Sequence, residues 1–193
     1  MTVLFIFSMG HHTLRNGEMP HHPVRLDREN EIRSALNEIG VRFERWEASI
    51  SLGIDASDES ILSAYSHDVQ RLKAAGGYLS ADVINVHAHT PEIETVRRKF
   101  RAEHIHHEDE VRFFVEGGGV FYLHVGQNVF AALLQAGDLI SVPRGMLHWF
   151  DMGPKPWVKC IRLFSNPTGW IAEYSGDSLA AHFPSYPELL ELR

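Results

Sequence analysis

A single cysteine, Cys160, leaves the 193-residue chain without an intramolecular disulfide and without a thiolate-rich zinc site. That usage suits a reducing cytoplasm. No apolar run approaches the roughly 20 residues needed for a bilayer-spanning helix. Residues Met1 to Met9 are apolar, but no basic stretch precedes them and no small-residue cleavage pattern follows, so they do not read as a secretory leader. Long basic runs are also missing. The densest cluster, Arg97-Arg98-Lys99, is diluted by Glu92, Glu94 and Glu103 in a chain of formal net charge -7. Nucleic acid and membrane surfaces both select positive faces, so neither is expected as a partner. Walker, Rossmann and Gly-x-Ser-x-Gly patterns are absent.

Hydrophobic residues make up 44% and charged residues 22%, enough for one domain with a sizeable core. Val3 to Phe7 reads as a strand and Gly10 to Val24 as a histidine-rich loop. Asp27 to Ile39 reads as a helix ending at Gly40, and Val41 to Ala48 as a strand with one wet face. A second helix runs from a Ser57 or Asp58 cap to Gly76-Gly77, with Ile61, Leu62, Tyr65, Val69 and Leu72 on one face. Val83 to Val86 reads as a strand, and Glu92 to Phe100 as a short helix started by Pro91.

From His104 onward the pattern changes. Val111 to Glu116, Val120 to Val125, Val129 to Leu134, Leu139 to Val142, Leu147 to Asp151 and Val158 to Phe164 read as strands, with Gly117-Gly118-Gly119 among the turns. Short strands at near-regular spacing predict a mostly β sandwich or barrel. The expected organisation is one domain over 1–193. It comprises an N-terminal α/β elaboration with two helices (1–81), a metal-binding β-barrel (82–175) and a C-terminal tail (176–193).

The chemistry sits in Glu103-His104-Ile105-His106-His107-Glu108-Asp109-Glu110-Val111-Arg112 and, further on, Pro143-Arg144-Gly145-Met146-Leu147-His148. His104, His106 and Glu110 have equal parity, and residues two apart on a strand lie about 6.6 Å apart, close enough for two imidazoles to share an ion. His148 would come from a neighbouring strand. Three imidazoles and one carboxylate suit Fe(II), Ni(II), Mn(II), Co(II) or Zn(II) and not the oxygen-seeking Ca(II) or Mg(II). His107 has the wrong parity and should point outward. His87-Ala88-His89 is a rival pair, but Thr90-Pro91 breaks the strand before Glu92 and Glu94, so it reads as surface. His124 either lines the barrel or is a satisfied core histidine. His11, His12, His21 and His22 read as solvated loop residues.

At these residues the sequence resembles the cupin superfamily, a double-stranded β-helix barrel. Its first motif is seen in His104-x-His106-x3-Glu110-x6-Gly117 and its second in Gly137-x5-Pro143-x-Gly145-x2-His148. One departure is Arg98, where a glycine is usual, which implies a helix or loop leading into the site. The stretches from Glu103 to Gly117 and from Val142 to Gly153, with Gly40-Val41-Arg42-Phe43-Glu44-Arg45-Trp46 and Ile161-Arg162-Leu163-Phe164, are similar to the acireductone dioxygenase family of methionine salvage. A cytoplasmic monomer is expected, and the resemblance implies one Fe(II) or Ni(II) per chain. It implies an acireductone, 1,2-dihydroxy-3-keto-5-methylthiopentene, and O2 as small-molecule partners. Formate and 4-methylthio-2-oxobutanoate would follow with Fe(II); methylthiopropionate, formate and carbon monoxide would follow with Ni(II).

Arg112 shares the parity of Glu110 and should face inward, where a buried cation needs an anionic partner: the substrate enediolate, or Glu103 or Glu116 in an ion pair. Glu103 is a candidate for proton transfer or a solvated ion pair. Phe150, in phase with His148, could wall the pocket or be plain core. Arg162 and Trp170 are carried over as substrate-binding residues by the resemblance alone. The competing functions are another metal-dependent cupin, isomerase or oxygenase, and a non-catalytic small-molecule binder.

Overall fold

The strand-rich half of the sequence builds two antiparallel sheets that share one long strand. The computed structural model describes residues 1–9, 23–46, 52, 56–166 and 171–193. In chain order these contain β1 (Val3–Ser8), β2 (Val24–Leu26), α1 (Glu29–Glu38), β3 (Arg42–Arg45), α2 (Asp58–Ala64), α3 (Ser66–Gly76), β4 (Ser80–His87) and α4 (Ile93–Arg101). They continue with β5 (His104–Ile105), β6 (Glu110–Val125), β7 (Asn128–Gln135), β8 (Asp138–Val142), β9 (Leu147–Asp151), β10 (Trp157–Phe164), β11 (Glu173–Tyr174) and α5 (Tyr186–Glu191). One sheet runs β11-β5-β9-β6-β7-β1-β2; the other is β4-β10-β6-β8-β3.

The inner faces of both sheets meet in one core that includes Leu4, Phe43, Phe114, Phe121, Ile140, Phe150 and Cys160. Each outer face is covered as well. Ile61, Tyr65, Val69 and Leu72 lie over Phe113, Ile161 and Leu163. Leu179, Phe183 and Leu189 from the C-terminal segment lie over Val3, Phe5 and Trp149. Burial on both faces explains why β7 (NVFAALLQ) reads as a nearly continuous apolar run and not an alternating one. No helix of the described residues is long and apolar enough to cross a membrane.

The mostly β expectation is met, with corrections. Gly117-Gly118-Gly119 is not a turn between two strands: β6 passes through it as one 16-residue strand. Its first half pairs with β8 and β10, its second half with β7 and β9. The glycines serve the crossing from sheet to sheet. A Cβ on Gly117, which has φ +68°, would lie 1.6 Å from the Trp157 carbonyl oxygen, and one on Gly119 would lie 2.4 Å from the Phe150 ring. The β6–β10 register shifts at the same place, between Lys159 and Cys160. Gly117→Ala is expected to cost about 2–3 kcal/mol through the left-handed φ and this clash. The loss should read as a lower urea midpoint at unchanged m value.

The expected second helix is two helices, so the described part of residues 1–81 holds three. The break falls at Tyr65 (φ -100°, ψ 16°), a buried side chain whose ring packs 4.9 Å from that of Phe113. Ser57 caps α2 by accepting from the Ser60 amide at 3.2 Å. Residues 1–81 also supply β1 and β3, which pair with β7 and β8. The strand expected over Val41 to Ala48 is seen as Arg42–Arg45, and residues 47 and 48 lie outside the described set. Residues 10–22 of the histidine-rich loop lie outside it too.

Candidate metal centre

Four elements deliver one side chain each to a single point. His104 is on β5, directly opposite His148 of β9 in register. Glu110 opens β6. His106 sits on the connection between β5 and β6, where its carbonyl accepts from the Gly145 amide at 2.8 Å. The Pro143-x-Gly145 turn thus pins the loop that carries His106, and Gly145 at φ +78° is the residue type that turn requires. One ligating atom from each of His104, His106, Glu110 and His148 lies within 4.8 Å of the others, and all four residues are buried.

The orientation of the rings suits a cation. Nδ1 of His104 meets the Ala102 carbonyl at 2.7 Å, that of His148 the Met146 carbonyl at 2.8 Å, and that of His106 the Ile171 carbonyl at 3.0 Å. A carbonyl only accepts, so each Nδ1 is the protonated nitrogen and each Nε2 keeps its lone pair. Glu110 Oε2 lies 2.7 Å from His148 Nε2. Neither atom has the alignment of a hydrogen bond there, and both are shielded from solvent. A lone pair and a carboxylate oxygen held this close call for a cation between them, and three imidazoles with one carboxylate are the donor set of a first-row divalent ion.

Electrostatics keep His104, His106 and Glu110 in ligating form. Burial, then the neighbouring His148, push the His104 imidazole down to about 4, and burial lowers His106. Burial alone would raise the Glu110 carboxyl. The Arg112 guanidinium, with His148 and His106 behind it, holds it well below the usual carboxylate range instead.

Arg112 faces inward as parity requires, but its carboxylate is neither Glu103 nor Glu116. Arg112 Nε lies 2.6 Å from Glu110 Oε1, two residues away on the same face of β6. Its guanidinium carbon sits 5.2 Å from the Phe100 ring centroid and 5.4 Å from those of Phe121 and Phe150. Phe150 is therefore core, with its ring against the guanidinium. Glu116 pairs with Lys159 at 3.1 Å. Glu103 is buried and not solvated, because His124 Nδ1 lies 2.8 Å from its Oε1. Although burial opposes ionisation, the His124 hydrogen bond lowers the Glu103 carboxyl, and the Glu103 hydrogen bond raises His124. His124, which also meets the Gly126 carbonyl at 3.1 Å, is a satisfied histidine.

Arg162 stands opposite Arg112 in the β10–β6 register and donates to both oxygens of Asp82 at 2.8 and 2.6 Å. Trp170 lies outside the described residues. His107 is exposed, 3.0 Å from Glu173. His89 is exposed, and its amide donates to His87 Nδ1 at 3.2 Å, away from the four-residue group. Two participants escaped the sequence reading. Phe100 follows Ile93 and Val96 at helical spacing, which marks one face of α4 turned to the core. Phe121 pairs with Phe150 in register, which only the long β6 makes visible.

The family model described as "ARD/ARD' family" matches residues 12–172. An acireductone dioxygenase of Pseudomonas paraeruginosa is 46% identical over 173 residues, covering 89% of this chain and 96% of the relative. Acireductone dioxygenase 2 of Pectobacterium atrosepticum is 52% identical over 153 residues, covering 79% and 84%. The solved acireductone dioxygenase from Bacillus anthracis, with a cadmium ion in its active centre, superposes with a TM-score of 0.75. It is 30% identical, with 90% of this chain and 98% of that one covered.

Proposed function

The chain belongs to the acireductone dioxygenase family, and we propose that it binds one Fe(II) or Ni(II) through His104, His106, Glu110 and His148 and cleaves an acireductone with O2. The fold is the mostly β cupin arrangement, and the activity is that of a metal-dependent dioxygenase. The observation that carries the ligand assignment is the convergence of three Nε2 lone pairs, each set by a backbone carbonyl, on one buried carboxylate.

A divalent ion held by those four groups would supply Lewis acidity toward an enediolate, an electron-rich substrate that needs neither flavin nor nicotinamide. Arg112 supplies a fixed positive charge beside those groups. It favours the ionised enediolate through that charge. Phe100, Phe121 and Phe150 exclude water around the guanidinium, which strengthens its attraction for the substrate anion. Glu103 acts through its pair with His124 to set the start of β5 and so the position of His104. Arg162, held by Asp82, contributes to substrate binding in this reading, and Trp170, outside the described residues, is carried with it on the family resemblance alone. One protomer supplies all four ligands, so the centre needs no second copy, and the chain is taken to act as a monomer. Burial pushes the thiol of the single cysteine up to about 12, which leaves it inert and fits a cytoplasmic setting.

Metal-free protein reconstituted separately with Fe(II) and with Ni(II), then given one acireductone under air, tests the reading. Both forms are expected to consume O2. The Fe(II) form should yield formate and 4-methylthio-2-oxobutanoate, and the Ni(II) form carbon monoxide, formate and methylthiopropionate. Identical products from both would refute the metal dependence, and turnover without O2 uptake would refute the dioxygenase.

A further inference from the structure

A second cleft lies between α4 and residues 177–181, with a volume of about 380 Å³. That is within the size range of small-molecule sites. Glu94, Arg97, Arg98 and Arg101 line it, and their i, i+3, i+4, i+7 spacing makes them one stripe along the helix. Ile93 and Phe100 lie on a different face of α4, packed against the core beside Arg112. Across the cleft stand Asp177, Ser178, Ala180 and Ala181, whose short side chains leave the space open.

A basic stripe near a helix C-terminus is ordinarily a solvated face that answers the helix dipole. That accounts for Arg98 and Arg101. Arg97 is different, because its side chain is only 14% exposed. Its Nη1 donates to both Glu94 oxygens at 3.0 and 2.9 Å, while its Nε is shielded from solvent with no acceptor among the described residues. The described bond of Arg98 is a long one, to Thr95 Oγ1 at 3.4 Å, and Arg101 Nε stands 3.5 Å from Asp151. Asp177 is engaged locally, since its Oδ1 accepts from the Leu179 amide at 2.9 Å. Three arginines thus line the cleft in a chain of net charge -7.

We propose that this cleft is a binding site for a small divalent oxyanion, a phosphate or a dicarboxylate, separate from the metal centre. Arg97 and Arg98 grip the oxygens, Arg101 adds charge, and the Ser178 hydroxyl donates from the opposite wall.

Calorimetric titration of the metal-loaded protein with inorganic phosphate and, in a second arm, with succinate tests this at constant ionic strength. Saturable binding of at least one of them is expected, and the arm that binds assigns the class. Arg98→Gln should weaken binding roughly tenfold or more, and Ala181→Glu, which places a carboxylate on the exposed wall, should abolish it. Both positions are exposed, so metal content and the circular dichroism spectrum should match the parent protein. No saturable binding in either arm would overturn the proposal. So would equal affinity in the parent and both variants, which would put the anion elsewhere, the metal centre included.

Discussion

Glu110→Gln is expected to empty the centre of metal, abolish acireductone turnover and destabilise the metal-free fold by about 3–5 kcal/mol. The substitution keeps the shape and removes the charge from a residue that is 1% exposed. Two consequences are separable. The ion loses its one anionic ligand among three neutral imidazoles. Independently, the buried Arg112 loses the carboxylate 2.6 Å from its Nε, which is why the cost appears even without metal. Metal analysis of the purified variant reads the first effect, and denaturant titration of both metal-free proteins reads the second. A variant that kept metal and turnover would remove Glu110 from the ligand set. A variant that lost metal at unchanged metal-free stability would show that the Glu110–Arg112 pair carries no structural weight.

Arg112→Met is expected to lower kcat/KM by about 10²–10³, the loss associated with one preorganised electrostatic group at a developing anion. Methionine fills the volume among Phe100, Phe121 and Phe150 and keeps apolar contact with them, so metal content should hold. A purely structural Arg112 would change stability and leave the pH profile alone. A guanidinium that favours substrate ionisation leaves a different trace: the variant's rate should climb with pH as the enediol ionises unaided, narrowing the gap to the parent. Arg112→Lys should rescue only part of the rate, because a point charge cannot reproduce the planar guanidinium resting among three rings. Parallel pH profiles for parent and Arg112→Met would remove the substrate role.

Parity carried much of the site. His104, His106, Glu110 and Arg112 are separated by even steps, and the even-step rule alone turned Arg112 inward and His107 outward. It assigned a face and not a partner, so the nearest carboxylate of Arg112 went unforeseen although it stands two residues away. The solvated reading of the Glu103 pair failed for a related reason: the carboxylate is buried with its partner His124, 21 residues on. Local composition contains no trace of such a contact. The glycine triplet misled because glycine marks turns, bulges and close approaches alike, and only the neighbouring Trp157 carbonyl and Phe150 ring decide between them. Tyr65 likewise continues the apolar stripe of a helix in sequence, and its burial against Phe113 is what accompanies the break. The spacing of apolar residues records which face is wet. It does not record where a face must bend to meet another.

The three imidazoles take their aim from the carbonyls of residues 102, 146 and 171, and a carbonyl survives every side-chain exchange. Ile171 makes the point most sharply, since the residue is 72% exposed while its backbone oxygen holds His106. Alanine, methionine and isoleucine at these places can therefore drift during evolution with little effect on ring orientation. Insertions and deletions are another matter: one residue added between Ala102 and His104, or between Met146 and His148, moves the acceptor out of phase with its ring. The centre is tolerant of spelling and intolerant of spacing.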